Sequence, residues 1–248
     1  EAITTGGQNT LIGGLAGDAL TTGNYNVAVG FEALGTEDAH GRCTALGFRA
    51  LKTLNAGTDS YNVAIGYEAG LSVSTGTNNT FVGGLTGNST NDGESNVGMG
   101  YAALAANCGN DNTGIGTGAL NECTGSFNTA LGRTAGNRIA SGTNNMMLGR
   151  DSGETGSPGG IINGSTSDRI VLGDENITHA YIQVDWTVSS DQRDKTDFTA
   201  LDLGLDFVKD LQPVTYKWDK RSKYGDKSAE DYDLNAQTPD GTHKEDWL

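Results

Sequence analysis

One short pattern of polar, small and aliphatic positions recurs along the first 150 residues. Its unit consists of Asn, a Thr or Val, a residue that is mostly small, an aliphatic residue and Gly. Consecutive units start 16 to 19 residues apart, at Asn9, Asn26, Cys43, Asn62, Asn79, Asn96, Asn112, Asn128 and Asn145. A fixed period of this length predicts a β-solenoid in which each repeat forms one coil and stacks on the next.

Within each unit the side chains alternate as they do in a short strand. The fourth residue is aliphatic in every copy, and the second is Thr or Val in eight of the nine copies. Because residues two apart share a face of a strand, we predict that the second and fourth columns point into the coil. The third column is mostly Ala or Gly, and we predict that it faces outward, where a neighbouring surface approaches closely.

The first and last residues of the unit have different predicted roles. We expect the Gly to mark a turn that needs a positive φ angle or a close backbone approach. The Asn column is expected to form a ladder whose side chains bond the turn backbone or the equivalent Asn one coil away. Binding of a ligand by the Asn column is the alternative.

Composition supports this architecture and narrows the possible partners. The 248 residues include 38 Gly but only 3 Pro, and 35% are hydrophobic, which favours a turn-rich β structure over a conventional core. The net charge of −15, without a basic stripe, argues against nucleic acid as a partner. No apolar run approaches the roughly 18 residues of a membrane span, so we expect no membrane insertion and no signal peptide.

The three cysteines fit no metal-ligand spacing, and no cofactor or metal is predicted. The simplest interpretation of Cys43, Cys108 and Cys123 is that they are unpaired small residues. Cys108 and Cys123 fall at near-equivalent places in successive repeats, so a disulfide between neighbouring coils stays open. A reducing cytoplasm during assembly argues against that bond.

The repeats define the first of three predicted segments. Residues 1–153 form the shaft, and residues 154–188 form a linker and a strand-rich neck with strands at 169–173 and 177–188. His179 lies in the second of these strands, 11 residues before Ser190 or roughly 36 Å along an extended chain, so we assign it a structural role. Residues 189–248 begin a further domain, with a helix capped by Asp197 or Thr199 and ended by Pro213.

A candidate for self-cleavage opens this last segment. Ser190 and Lys195 place a hydroxyl and an amine five residues apart, with carboxylates nearby. A lysine whose charged form is disfavoured by desolvation can take the proton of a serine and so activate it as a nucleophile. Five residues do not fit one face of a straight helix, so the pair needs a bend. From spacing alone, a solvated connection between a strand and a helix is the simpler interpretation.

This stretch resembles the start of the C-terminal intramolecular chaperone domain of endosialidases and other phage tail spikes and fibres. The resemblance is carried by Ser190, Asp191, Arg193 and Lys195, followed by Leu211, Pro213, Val214, Tyr216 and Trp218. It implies that Ser190 is the nucleophile, Lys195 its base and Arg193 a supporting motif residue. The chain would be cut once, next to Ser190, on the side of either Ser189 or Asp191. Residues 189–248 would then be the N-terminal part of an α+β chaperone domain that continues further in family members.

The repeats in turn are similar to the left-handed β-rolls of trimeric bacterial adhesin heads. Together the two resemblances imply an all-β parallel solenoid of nine repeats, an intertwined homotrimer and a partial chaperone domain. The implied function is that of a phage tail fibre or spike protein, assembled in the host cytoplasm and carried in the virion tail. Its expected partners are itself, other virion tail proteins and a bacterial surface glycan or protein receptor.

Two other functions fit parts of the pattern. A bacterial trimeric surface adhesin shares the roll, but we expect it to continue into a coiled coil and a membrane barrel. A glycan-degrading tail spike needs paired carboxylates, for which Glu32, Glu68 and Asp92 are candidates. These three lie in different coils with no repeated spacing, so scattered surface acids are the simpler interpretation.

Overall fold

In the computed structural model, residues 5–154 and 156–181 are described, and this part of the chain contains ten short strands and no helix. Each strand has three residues and coincides with the second to fourth residues of a repeat. The strands are β1 (Thr10–Ile12), β2 (Val27–Val29), β3 (Thr44–Leu46), β4 (Val63–Ile65), β5 (Thr80–Val82), β6 (Val97–Met99), β7 (Thr113–Ile115), β8 (Thr129–Leu131), β9 (Met146–Leu148) and β10 (Ile170–Leu172).

All ten strands belong to one parallel sheet in chain order. Each residue pairs with its equivalent one repeat later, so that Ala28 pairs with Ala45 and Phe81 pairs with Gly98. The chain therefore climbs one strand per repeat, which confirms the predicted all-β parallel solenoid. Among the described residues no helix is available to cross a membrane.

The sheet continues past residue 153, where the regular repeat spacing ends. Strand β10 pairs with β9 in the same register, with Val171 opposite Met147. Arg169 to Gly173 is therefore a tenth unit, and it starts 24 residues after Asn145 with Arg in place of Asn. Residues 177–181 of the predicted second neck strand form no strand, and its remaining residues lie outside the described part. The domain boundaries at 153 and 188 stay predictions.

The prediction of which columns face inward is wrong. Third-column residues such as Ala28, Ala45 and Ala64 are fully buried, whereas Ile12 and Leu131 of the fourth column are 59% and 50% exposed. The reason lies in the first column, where the Asn side chains turn inward to bond the backbone. Since residues two apart share a face, the third column follows Asn into the coil and the second and fourth columns face outward.

Asn forms the predicted ladder inside the solenoid. The Oδ1 atom of Asn62 accepts the backbone amide of Asn79 at 2.9 Å, and the Nδ2 of Asn79 donates to the carbonyl of Gly93 at 2.8 Å. The same contacts recur from coil to coil, for example from Asn26 to the amide of Cys43 at 3.1 Å. These bonds satisfy turn groups that are buried from water, where an unpaired polar group would be costly.

The Gly column is required by stacking as well as by φ. Gly47 has a φ of +140°, and a Cβ there would lie 2.2 Å from the carbonyl oxygen of Gly66 in the next coil. Real Cβ atoms do not approach a backbone oxygen so closely, and the φ value itself is open only to glycine. The predicted role of this column is therefore confirmed.

The interior of each coil is filled by the third and ninth residues of the repeat together. Coils with a large third residue have Gly at the ninth place, as Phe81 does with Gly87. Coils with a small third residue often have Leu at the ninth place, as Ala28 does with Leu34, and all of these side chains are fully buried. None of the first nine coils has two large side chains at this level. The two coils with none, those of Ala64 and Ala130, are filled from the adjacent coils, as by Leu120 and Met147 next to Gly136.

Candidate functional site

The residues predicted to carry out self-cleavage lie outside the described part of the chain. They are Ser189, Ser190, Asp191, Arg193 and Lys195, and their roles stay predictions. His179 is exposed, with its Nδ1 2.8 Å from the hydroxyl of Thr178 and its ring stacked on Tyr181 at 6.2 Å between centroids. Since Ser190 lies outside the described residues, the structural role of His179 stays a prediction.

One surface of the sheet in the described solenoid is uncharged along all ten strands, and it is here called the outward face. It consists of the second and fourth residues of the ten units, which are all Thr, Val, Ile, Leu or Met. Several of its aliphatic side chains are strongly exposed, including Leu46, Met99 and Ile170. A contiguous apolar surface of this kind marks an interaction site more often than free surface.

Aromatic side chains line both edges of the outward face between β2 and β4. On one edge, Phe48 stacks on Phe31 and on Tyr67, with ring centroids 5.7 and 5.3 Å apart. On the other edge, the guanidinium of Arg42 lies 5.1 Å from the ring centroid of Tyr25 and also contacts Tyr61. The aromatic residues widen the apolar surface and stiffen its edges, because each ring packs against the coil above or below.

Charged residues next to the aromatic stack neutralise each other. Glu32 accepts Lys52 at 2.8 Å and Arg49 at 2.7 Å, and Arg49 also lies 3.9 Å from Glu68. The hydrogen bond from Lys52, and then that from Arg49, holds the pKa of Glu32 below its usual value. Glu32 is therefore ionised and paired, which suits a surface ion network better than proton transfer to a glycan. Asp92 lies in a different coil.

Within the described residues, one group of metal-ligating side chains lies close together. The ligand atoms of Glu37, Asp38 and His40 fall within 4.8 Å of one another, and Glu37 is fully buried where the neighbouring coils have Leu20 and Leu54. The carboxylate of Glu37 accepts the backbone amides of His40 at 2.9 Å and of Ala56 at 3.4 Å. These two bonds account for the buried carboxylate without an ion.

All three cysteines are buried free thiols. The sulfur of Cys43 lies 2.8 Å from the hydroxyl of Ser60, and that of Cys108 lies 2.9 Å from the hydroxyl of Thr90. Burial raises the pKa of Cys43 and Cys108, and it raises that of Cys123 to about 11. Protonated thiols inside the coil are poor nucleophiles, so the cysteines act as small packing residues.

A feature that sequence reasoning missed is a cavity of about 410 Å³ where the turn after β10 meets the corners of the two preceding coils. We call it the polar cavity. All of its lining side chains are polar or charged, and they include Arg133, Asn137, Arg150, Asp151 and Asp174. The sequence does indicate the tenth unit that helps to form this cavity. Residues 169–173 end in Leu-Gly as several earlier units do, and they begin 24 residues after Asn145.

The described part of the chain is a parallel β-solenoid. A comparison with known protein families finds one match, which lies after the described residues in the sequence. Residues 190–238 match the protein family described as the chaperone of endosialidase. The match begins at Ser190 and covers less than a quarter of the chain. No curated protein and no solved structure matches the sequence.

Proposed function

We propose that this chain is part of a phage tail fibre or tail spike, with the solenoid as a trimeric shaft and the C-terminal segment as its assembly chaperone. One observation carries the proposal. A match to the chaperone of endosialidase starts at residue 190, shortly after the last strand of a regular solenoid ends at Leu172. A folding aid next to a long repetitive shaft fits a protein whose copies must be aligned before their coils can zip together.

The outward face is the surface through which three copies associate. Its twenty side chains carry no charge, although the chain as a whole has a net charge of −15. Because of this net negative charge, copies of the chain repel each other over most of their surface. The uncharged outward face is where two copies can approach without that electrostatic repulsion. A second copy has the same coil spacing, so its side chains meet equivalent side chains along the whole length of the sheet.

The chaperone segment cuts itself off in one event. Lys195, desolvated on assembly, accepts the proton of Ser190, and the Ser190 oxygen attacks an adjacent backbone carbonyl to form an ester. The proton passes to the departing backbone nitrogen, and water then hydrolyses the ester. The net change is one peptide bond and one water converted into a carboxylate and an amine. Release of the folding aid makes the assembled shaft hard to unwind.

The mature shaft belongs to the virion tail and contributes to attachment to the bacterial surface. Other tail proteins hold it at one end, and a bacterial surface glycan or protein is its receptor. Assembly takes place in the host cytoplasm, which agrees with three buried thiols that form no disulfide among the described residues.

The test is expression of the complete gene as wild type and as four variants, with denaturing gels to detect cleavage and native mass spectrometry to measure the number of associated chains. Ser190→Ala removes the nucleophile, Lys195→Arg keeps the charge but cannot lose its proton, and both are expected to stay uncut. Ser189→Ala is the matched control for Ser190→Ala, and Lys52→Arg in the shaft is the matched control for Lys195→Arg. Both controls are expected to be cut like wild type.

Each outcome bears on the proposal. Cleavage of the wild type next to residue 190, together with uncut trimers of Ser190→Ala, supports it. Identical full-length migration of wild type and Ser190→Ala contradicts the self-cleavage, and a monomeric wild type contradicts the shaft.

A further inference from the structure

The polar cavity has the size and position of a ligand site. It is lined by equivalent corner residues of two consecutive coils, which carry Arg133 and Arg150, and by the turn that starts at Asp174. Its volume of about 410 Å³ lies within the range of roughly 300–1,000 Å³ that is usual for small-molecule sites. None of the lining side chains is apolar, which does not suit a lipid or an aromatic ligand.

Hydrogen bonds fix the groups of the cavity in advance. Arg150 donates through Nη2 to Asp174 at 3.0 Å, and its Nε forms an ion pair with Asp151 at 3.1 Å. Asp174 also accepts the backbone amide of Asn176 at 2.9 Å. The hydrogen bond from Arg150 and those from Asn176 keep the pKa of Asp174 below its usual value, so this carboxylate stays an acceptor. A site held in this way loses little entropy on binding.

The charges of the cavity select against anions. Four carboxylates, from Asp151, Glu154, Asp174 and Glu175, face two guanidinium groups, from Arg133 and Arg150. The surplus of carboxylates repels phosphate and acidic sugars, while the two arginines disfavour a polycation. An uncharged ligand that offers hydrogen-bond donors and acceptors side by side therefore fits the charges of the cavity best. Hydroxyl groups do this, because each one donates one hydrogen bond and accepts others.

Asn137 adds a group that is ready for such a ligand. Its side chain lines the cavity, and the amide group of that side chain makes no hydrogen bond to another described residue. The amide can therefore donate to one hydroxyl and accept from the next. Since the side chain of Asn137 is only half-buried and makes no such bond, replacing it breaks no hydrogen bond of the coil.

We infer that the polar cavity binds an uncharged saccharide unit. The identification of that saccharide with the bacterial receptor rests on the proposed function, but binding itself does not. The inference places receptor contact at the β8 to β10 coils, along the edge of the outward face where Arg133 and Arg150 take the places that Phe31 and Phe48 have in earlier coils.

The experiment uses the complete protein, fluorescently labelled, on an array of bacterial surface oligosaccharides that includes neutral and acidic members. We expect binding to neutral oligosaccharides and at least tenfold weaker binding by Asn137→Ala and by Asp174→Asn. Asp59→Asn is the matched control for Asp174→Asn, because Asp59 pairs with Arg42 at 2.6 Å as Asp174 pairs with Arg150 at 3.0 Å, but several coils away from the cavity. Melting temperatures close to wild type show that Asn137→Ala remains folded.

The inference is overturned if no neutral oligosaccharide binds, if only acidic ones bind, or if Asn137→Ala and Asp174→Asn bind like wild type. Its failure is separable from that of the proposed function. If the protein cleaves itself and forms trimers but binds no neutral oligosaccharide, only the saccharide site is contradicted. If the protein is monomeric and uncut but binds an oligosaccharide through Asn137, the saccharide site is supported and the proposed assembly is contradicted.

Discussion

Phe81 fills the space that a side chain at Gly87 would need, because a Cβ on Gly87 would lie 2.6 Å from the phenyl ring. Three coils earlier the same two places hold Ala28 and Leu34, so the large side chain there occupies the place that corresponds to Gly87. None of the first nine coils has two large residues at these places, and where both are small, as with Ala64 and Gly70, the side chains of Leu51 and Phe81 from the adjacent coils lie within 3.3 Å of a Cβ built on Gly70.

This complementarity predicts strong coupling between the two positions. Phe81→Ala leaves a cavity and is expected to lower the free energy of unfolding by about 3–5 kcal/mol. Gly87→Leu alone is expected to clash with the ring. The double variant copies the Ala28 and Leu34 arrangement and is expected to recover at least half of the loss, measured by denaturant unfolding in a double-mutant cycle. Losses that simply add up would contradict the complementarity.

The Asn ladder predicts a cost for a single deletion. The Oδ1 of Asn96 accepts both the backbone amide and the Nδ2 of Asn112, at 3.0 and 3.1 Å, and its own Nδ2 donates to Gly109. Asn96→Ala leaves these buried groups unpaired, so we expect the free energy of unfolding to fall by about 2–4 kcal/mol. Asn55→Ala, at an exposed position, is the control and should change it little. Equal effects of the two substitutions would show that the ladder is not stabilising.

Neighbouring residues of β3 separate packing from association. Leu46 lies on the outward face and is 43% exposed, while Ala45 is fully buried. Leu46→Lys is expected to keep the circular dichroism spectrum of the coil but to reduce the native mass from trimer to monomer, because it places three charges in the interface. Ala45→Lys is expected to abolish the folded shaft. A trimeric Leu46→Lys protein would move the interface elsewhere.

The buried thiols predict a loss of stability at alkaline pH. The pKa of Cys123 is raised to about 11 from 9.0 by burial, so the unfolded chain loses this proton at a lower pH than the folded chain. Stability is unaffected below about pH 9 and falls as the pH rises toward 11, by up to about 3 kcal/mol. The check is the slope of the unfolding free energy against pH, which should be shallower in Cys123→Ala. An unchanged slope would contradict this account.

The sequence allowed the fold class, the strands, the Asn ladder and the Gly turns to be predicted, since each follows from one column of a nine-fold repeat. The direction of the side chains could not be predicted from hydrophobicity alone. The aliphatic fourth column, with Leu46, looks more buried than the Ala column, but the inward Asn26 and its equivalents set the phase of the strand. The pairing of a large side chain at Phe81 with Gly87 could be recognised in the sequence only once it was known which residues of a coil lie opposite each other.

The polar cavity escaped prediction for a different reason. It depends on a tenth unit that begins with Arg169 instead of Asn, 24 residues after Asn145, which the count of repeats missed. Arg150 and Asp174 occupy the same place in consecutive units, and the pairing of β10 with β9 brings their charges together. The predicted dyad of Ser190 and Lys195 lies outside the described residues and stays a prediction.

The most direct test of the whole account is the native mass of the protein made from the complete gene. The account predicts a particle of three identical chains, each ending next to residue 190, because the shafts associate through their outward faces and then lose the chaperone. A stable single chain of full length, at concentrations well above micromolar, would contradict it.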